Sequence, residues 1–419
     1  MTDLRILADR VPGWAIPRPP AWAARAEPAS LPSWRAALRF ACLAVLGVRL
    51  LITFWAAADL LVQPADQASL EQQYAIWHAP LYGEGVAGLL LGPWQREDSL
   101  RYEQIAARGY QAGQGDIVLF PLFPLMLRLV GVVTLGNYAV AGALVSLLAT
   151  IGAVTVLYRL IQMDFNRLVA ERTVAYLLLF PVAYYLLIPY AEPVFLGLVC
   201  ATFYAVRRGH WAWTALFAFL AALTRLQGVL LAIPIGIEAL AVAGWQLRAI
   251  PWRKGLPAVA APILGLAVEQ AFNSWIVRDA HSWLEWQAAF GGGKYTTWPW
   301  VALAGSLQKV IGERGITVNT FDFAVAVLFL ALLALCIRYL RPSYTLWAAA
   351  MVLLPLSSFG PIFPLQGLSR YILPTFPCFL ALAIWALGRP RAVHLGIIVL
   401  WVSFLLIWIM VFIHGHWVA

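Results

Sequence analysis

The stretch VHLGIIVLWVSFLLIWIMVFI, residues 393–413, holds no Asp, Glu, Lys or Arg. A helix needs ~20 predominantly apolar residues to cross the hydrocarbon of a bilayer, so this segment is long enough to span one. Toward the N-terminus, apolar runs recur at approximately Tyr371 to Leu387, Leu346 to Ser358, Phe321 to Leu340, Leu256 to Val277, Gly228 to Val242 and Trp211 to Leu223. They continue at Val194 to Val206, Thr173 to Pro189, Asn137 to Leu160 and Ala37 to Val62. Hydrophobic residues make up 62% of the 419 and charged residues only 12%, with a mean hydropathy of +0.77. This composition excludes a water-soluble globule and predicts an all-α polytopic membrane protein with roughly eleven crossings. Several runs are short for a crossing, which predicts embedded or broken helices.

Orientation follows from the basic residues. The N-terminal tail, residues 1–36, carries Arg5, Arg10, Arg18, Arg25 and Arg35 and is too polar and Pro-rich for a cleaved signal peptide. The positive-inside rule places it in the cytoplasm. The membrane domain then covers residues 37–413, with outer loops at about 63–116 and 278–319 and a short outer tail at 414–419. The first loop is acidic, holding Asp66, Glu71, Glu84, Glu97, Asp98, Glu103 and Asp116. The second is rich in Trp and Gly, including Trp283, Trp286, Trp298, Trp300 and Gly291 to Gly293. Residues 117–135 contain Pro121, Pro124 and Arg128. Read as an interfacial or re-entrant helix, they leave Arg159, Arg167, Arg172, Arg207, Arg253 and Lys254 on the cytoplasmic side. The net charge of +9, spread over such loops, is an orientation signal, and no nucleic-acid partner is expected.

Cys42, Cys200, Cys336 and Cys378 each sit inside an apolar run, so neither disulfides nor a Cys-type zinc site is indicated. The six histidines are scattered. His414 and His416 are the nearest approach to a ligand pair, and no metal or cofactor is expected. No internal repeat of the kind found in many transporters is present.

Three polar constellations fall on the outer side. Trp94 to Tyr102 reads WQREDSLRY, a concentration of both charge signs in a chain otherwise poor in charge. Pro189-Tyr190-Ala191-Glu192 is wedged between two apolar runs. Arg225, followed by Gln227, and Arg370, followed by Tyr371, lie at outer membrane depth. Charges near hydrocarbon cost a few kcal/mol each and face a polar cavity or a partner, so one shared cavity is expected.

These residues carry a family resemblance. Asp98-Ser99-Leu100-Arg101-Tyr102 with Ile105-Ala106 and Gly109-Tyr110, then Phe120-Pro121-Leu122-Phe123-Pro124-Leu125, resembles the first-loop signature of the glycosylphosphatidylinositol mannosyltransferase II (PIG-V) type family. Phe180-Pro181, Tyr190-Ala191-Glu192-Pro193 and Ala222-Leu223-Thr224-Arg225 with Gly228 resemble its middle signature. Asn319-Thr320-Phe321-Asp322 and Ser369-Arg370-Tyr371-Ile372-Leu373 resemble its closing one. The resemblance runs from about Trp94 to Leu382. It implies a GT-C glycosyltransferase moving a sugar, usually mannose, from a polyprenyl-phosphate carrier to a lipid, glycan or protein acceptor on the non-cytoplasmic face. The sequence departs from the pattern at Glu97 and Arg101, where the family commonly has aromatics, so donor and acceptor are expected to differ there.

The chemistry assigns roles. Displacement by an acceptor hydroxyl needs one base, for which Asp98 is the candidate with Glu97 beside it, while a lipid phosphate leaves without a general acid. The departing phosphate needs cations, and Arg225 and Arg370 come first, with Arg101 and Lys294 behind them. Glu192, Tyr102, Gln227 and Tyr371 complete the expected substrate contacts. Structural alternatives stay open for several of these. Asp98 can cap the helix predicted over Ser99 to Arg108, Glu192 can pair with an Arg, Arg225 and Arg370 can snorkel to headgroups, and the Trp-rich loop can be an interfacial belt. A transporter or flippase of polyprenyl-linked sugars, or a GT-C enzyme using another sugar, is the competing reading.

Overall fold

A computed structural model describes residues 31–64, 82, 85–290 and 292–418. The expected N-terminal tail lies almost wholly outside the described residues, as do Asp66, Glu71 and Glu84 of the first outer loop. Among the described residues the fold is all-α apart from one ribbon of two two-residue strands. In chain order the helices are α1 (Trp34–Val62), α2 (Gly85–Leu90), α3 (Asp98–Arg108), α4 (Leu122–Val133), α5 (Tyr138–Ile161), α6 (Arg167–Leu179), α7 (Glu192–Arg207), α8 (Trp211–Ala222) and α9 (Ala232–Val242). They continue with α10 (Trp252–Phe272), α11 (Trp283–Phe290), α12 (Pro299–Gly312), α13 (Val318–Tyr339), α14 (Pro342–Leu356), α15 (Leu368–Tyr371), α16 (Phe376–Leu387) and α17 (Arg391–Ile413). Strands β1 (Tyr295–Thr296) and β2 (Ser358–Phe359) pair antiparallel.

Each of the apolar runs holds a helix, but among the described residues only α1, α5, α10 with its extension to Val277, α13 and α17 are long and apolar enough to cross a membrane unaided. The rest are shorter for identifiable reasons. The expected span Thr173 to Pro189 breaks after α6, where Phe180 takes extended backbone (φ −57°, ψ 144°). Pro181 disfavours the helical conformation of the residue before it. A 3-10 turn over Ala183–Leu186 follows, and α7 starts only at Glu192. The expected span Tyr371 to Leu387 likewise divides around Pro374 into α15 and α16. Residues 117–135 form the 12-residue α4, too short to span by itself.

Side-chain caps set several starts. Ser33, Asn137, Asn166 and Thr317 accept backbone N–H groups of Ala36, Val140, Val169 and Thr320 at the heads of α1, α5, α6 and α13, each worth about 1 kcal/mol. Close packing follows from small residues. A Cβ on Gly265 of α10 would stand 2.6 Å from Phe219 O and 2.9 Å from the Ala222 Cβ of α8, so only glycine lets these helices approach so closely. Gly228 is tighter still, since its Cβ would lie 2.4 Å from Ala221 C and Ala222 N. Backbone cannot step aside as a side chain can. Gly228→Ala is therefore expected to lower stability by about 1–3 kcal/mol, read as a reduced Tm in detergent; an unchanged Tm would show that the turn relaxes freely.

The core is aromatic. Phe180, Phe329, Phe379 and Trp401 meet edge to face with centroids 5.2–6.1 Å apart, a geometry their ring quadrupoles favour. Outward faces stay apolar, with Leu43 77%, Phe54 74% and Val399 64% exposed, as a lipid-facing surface requires. Arg49, midway along α1, is an exception with a partner: it donates to Leu187 O at 2.7 Å and lies over the Trp94 ring. The bond ties α1 to the break after α6, and the ring contact ties it to the first loop.

Candidate active site

Helix α3 opens the site. Arg96 immobilises the approach to it: its guanidinium donates to Gly92 O and Gln95 O at 2.9 Å and to Ile413 O at the end of α17, while its N–H is accepted by Ser99 Oγ at 2.8 Å. Glu97 occupies the cap position without making a side-chain capping bond, in left-handed backbone at φ 51°. That conformation costs a non-glycine residue about 1–3 kcal/mol and turns the chain so that Glu97 and Asp98 both border one cavity. Asp98 is not the helix cap. Its Oδ2 accepts from Arg370 Nη1 at 2.8 Å.

The breaks in the bundle supply the other groups. Glu192 is the first residue of α7, where a carboxylate is favoured by the helix dipole, and it is 1% exposed. Its Oε1 pairs with Arg225 Nη1 and stands 3.0 Å from Arg370 Nε, without hydrogen-bond alignment in the second contact. Glu192 Oε2 is buried without a hydrogen-bond partner. Arg225 follows α8 in extended backbone and also meets Gln227 Oε1. Arg207 closes α7, about 22 Å from Glu192 at 1.5 Å per residue, and there grips Asp164 with two bonds of 2.6 and 2.7 Å. The ionic groups thus divide between the two ends of this helix.

Tyr371 gathers the cations. Arg225, Arg370 and Lys294 lie 5.1, 5.3 and 5.7 Å from its ring centroid, each within cation–π range. Arg370 is further flanked by Tyr185 and Tyr190. The cavity measures about 620 Å³. It is bordered by Glu97, Asp98, Arg101, Tyr102, Arg225, Gln227, Lys294, Arg370 and Tyr371, so nine of the ten residues singled out from the sequence meet there, and the tenth, Glu192, lies beneath two of the arginines.

Not all of them are equally available. Arg101 donates to Gly115 O at 2.8 Å, stands 3.9 Å from Asp116 and lies over the Phe290 ring, which commits its guanidinium to holding the loop. Tyr102 packs edge to face on Phe123 at 4.7 Å. Burial and the neighbouring Asp98 push Glu97 toward its neutral form, opposed by Arg370 and Arg96. Glu103, one helical face away, is pushed by burial to about 8, with only Gln95 pulling the other way. Because this folded value exceeds the usual 4.5, the stability Glu103 contributes is full below the ordinary carboxylate range and is lost as pH rises toward 8. Glu103→Gln keeps the acceptor for Gln95 and is expected to flatten the fall in Tm between pH 5 and 8; a mutant with the native pH profile would contradict this.

The cavity also has borders the sequence did not point to, among them Tyr185, Ser357, Gln366 and Trp417. Trp417 carries no local signal, because its position depends on where α17 ends. The Trp-rich loop divides: Trp283 borders the cavity, while Trp298 and Trp300 stack on each other, 65% and 62% exposed. His414 pairs with Asp59 at 2.8 Å, and among the described residues no three His, Cys, Asp or Glu side chains cluster as a metal site would. A second cavity of about 480 Å³ is bordered almost wholly by apolar groups, including Tyr110, Leu122, Leu125 and Phe272, with Arg128 on its border. It adjoins the first along the chain, Phe120 bordering one and Pro121 the other.

No family model and no curated protein matches the chain. Among solved structures it is similar to the crystal structure of ArnT from Cupriavidus metallidurans bound to undecaprenyl phosphate, with 16% identity and a TM-score of 0.47. The similarity covers 80% of this chain and 62% of that one, so the chain spans less than two thirds of the length of ArnT.

Proposed function

We propose that the protein is a membrane glycosyltransferase of the GT-C type. In this reading it transfers a hexose, mannose by the family resemblance, from a polyprenyl-phosphate carrier to an acceptor hydroxyl on the non-cytoplasmic face. The observation that carries the reading is the set of three cations around Tyr371 with Asp98 in contact with one of them, all on the wall of one cavity. Arg225, Arg370 and Lys294 outnumber Asp98 and Glu192 by one, and burial shifts Glu97 toward its neutral form, a balance that suits the single negative charge of a sugar phosphodiester. The adjoining apolar cavity suits the start of an isoprenoid tail.

The reaction is one displacement. The donor phosphate takes hydrogen bonds from Arg370 and Arg225 in competition with Asp98 and Glu192, which loosens Asp98 from its partner. Asp98 takes the proton of the acceptor hydroxyl as that oxygen bonds to the anomeric carbon. The bond from that carbon to the phosphate oxygen breaks, and its electron pair leaves with the polyprenyl phosphate. The second negative charge developing there is met by fixed guanidinium and ammonium groups, which need no reorganisation. Glu192 orients both arginines, and Tyr371 and Gln227 hold the cations toward the cavity.

The test is transfer from polyprenyl-phosphate mannose to added membrane lipid by the protein purified in detergent, where no sealed compartment exists. Product formation supports the enzyme. Movement of the intact lipid-linked sugar across proteoliposomes, with no transfer in detergent, would replace it with a transporter.

A further inference from the structure

The border of the cavity is chemically divided. One part is ionic, formed by Glu97, Asp98, Arg225 and Arg370. Another is formed by the β1–β2 ribbon, the segment before α15 and the residues after α17. Its parts are joined directly: Thr296 pairs with Ser358, Thr297 N–H donates to Ser357 O at 3.0 Å, and Phe363 meets Trp417 with centroids 4.7 Å apart. The residues this part brings to the cavity are Tyr295, Thr296, Ser357, Ser358, Gln366 and Trp417, with Lys294 at its edge donating to Gln366 O at 3.3 Å. Lys294 is the one charged side chain among them.

Trp417 is held firmly for a residue so close to a helix end. Arg96 binds Ile413 O, His414 is fixed by Asp59, and Val418 beyond it is fully buried. A flat aromatic surface beside amides and hydroxyls is the chemistry an uncharged polyol ring requires: the ring's C–H face packs on the indole, and its hydroxyls exchange hydrogen bonds with amide and hydroxyl groups. The same wall offers no carboxylate, so an ammonium-bearing sugar would be desolvated there without a partner. We infer that Trp417 is the platform on which the ring of an uncharged hexose packs, with Gln366 and Ser357 reading its hydroxyls. This rests on the reading above, in which the donor phosphate sits at Arg225 and Arg370.

The experiment compares equilibrium binding of decaprenyl phosphate and decaprenyl-phosphate mannose to the detergent-purified protein. The native protein is expected to favour the sugar-bearing lipid by about fivefold, the scale of one aromatic contact. Trp417→Leu is expected to abolish that preference without changing affinity for decaprenyl phosphate, and Trp417→Phe, which keeps a ring, to retain most of it. A decaprenyl-phosphate 2-amino sugar is expected to bind no better than the bare phosphate. A folded Trp417→Leu protein with the native preference, or Trp417→Phe losing it as fully as the leucine variant, would overturn the platform. Failure of the native protein to bind either lipid would instead overturn the lipid-phosphate reading on which the platform depends.

Discussion

Replacing Arg370 with alanine is expected to destabilise the protein by about 3–5 kcal/mol and to weaken polyprenyl-phosphate binding by roughly a hundredfold. The first effect comes from Glu192. Its carboxylate is 1% exposed and meets both Arg225 and Arg370, so removing one cation leaves a buried charge half compensated. The second comes from the guanidinium that reaches Asp98 at 2.8 Å, to which the proposed function assigns a phosphate oxygen. The two effects separate on a second change: in Arg370→Ala with Glu192→Gln, much of the lost stability should return while lipid affinity stays low. Denaturation in detergent and lipid binding measure them independently. Full lipid affinity in the alanine variant would remove Arg370 from the phosphate site.

Asp98→Asn is expected to reduce turnover by about 10²–10⁴-fold, the usual contribution of a positioned base, with the fold retained. The side chain has nearly the same shape and is not the cap of α3, so no helix start is lost. Asparagine also competes less strongly than aspartate for Arg370. Affinity for polyprenyl phosphate should therefore stay constant or rise while transfer falls, a pair of changes that general damage to the site would not produce. Turnover within about tenfold of native, measured as transfer from polyprenyl-phosphate mannose, would take the base role away from Asp98.

Much of this arrangement is legible in the sequence because charges are rare in it. In an apolar chain each Arg or Glu within a run must find a partner or a cavity, and Glu192, Arg225 and Arg370 find one another. The breaks are less legible: Thr173 to Pro189 and Tyr371 to Leu387 each read as one apolar span, and only the structure shows Pro181 and Pro374 interrupting them. Arg101 reads as freely available from its local sequence, because its partners, Gly115 O and Phe290, come from a turn and from a distant loop. Trp417 and Gln366 are invisible there because they border the cavity through the packing of α17 and the segment before α15, and nothing in their local sequence marks them. The cap position of α3 falls at Glu97 and not at Asp98, for which the sequence left base and cap open; a positive φ favours Gly on local preference, so nothing in Glu97 itself marks the place.

That last feature sets stability against use. A carboxylate side chain in left-handed backbone is strained, and glycine at the same place would relax it. Laboratory selection for heat resistance alone would therefore drift toward the Glu97→Gly variant, whereas under the proposed function, with Glu97 beside Asp98 on the cavity wall, selection for activity would hold the glutamate. Residue 97 is where the two kinds of selection would part.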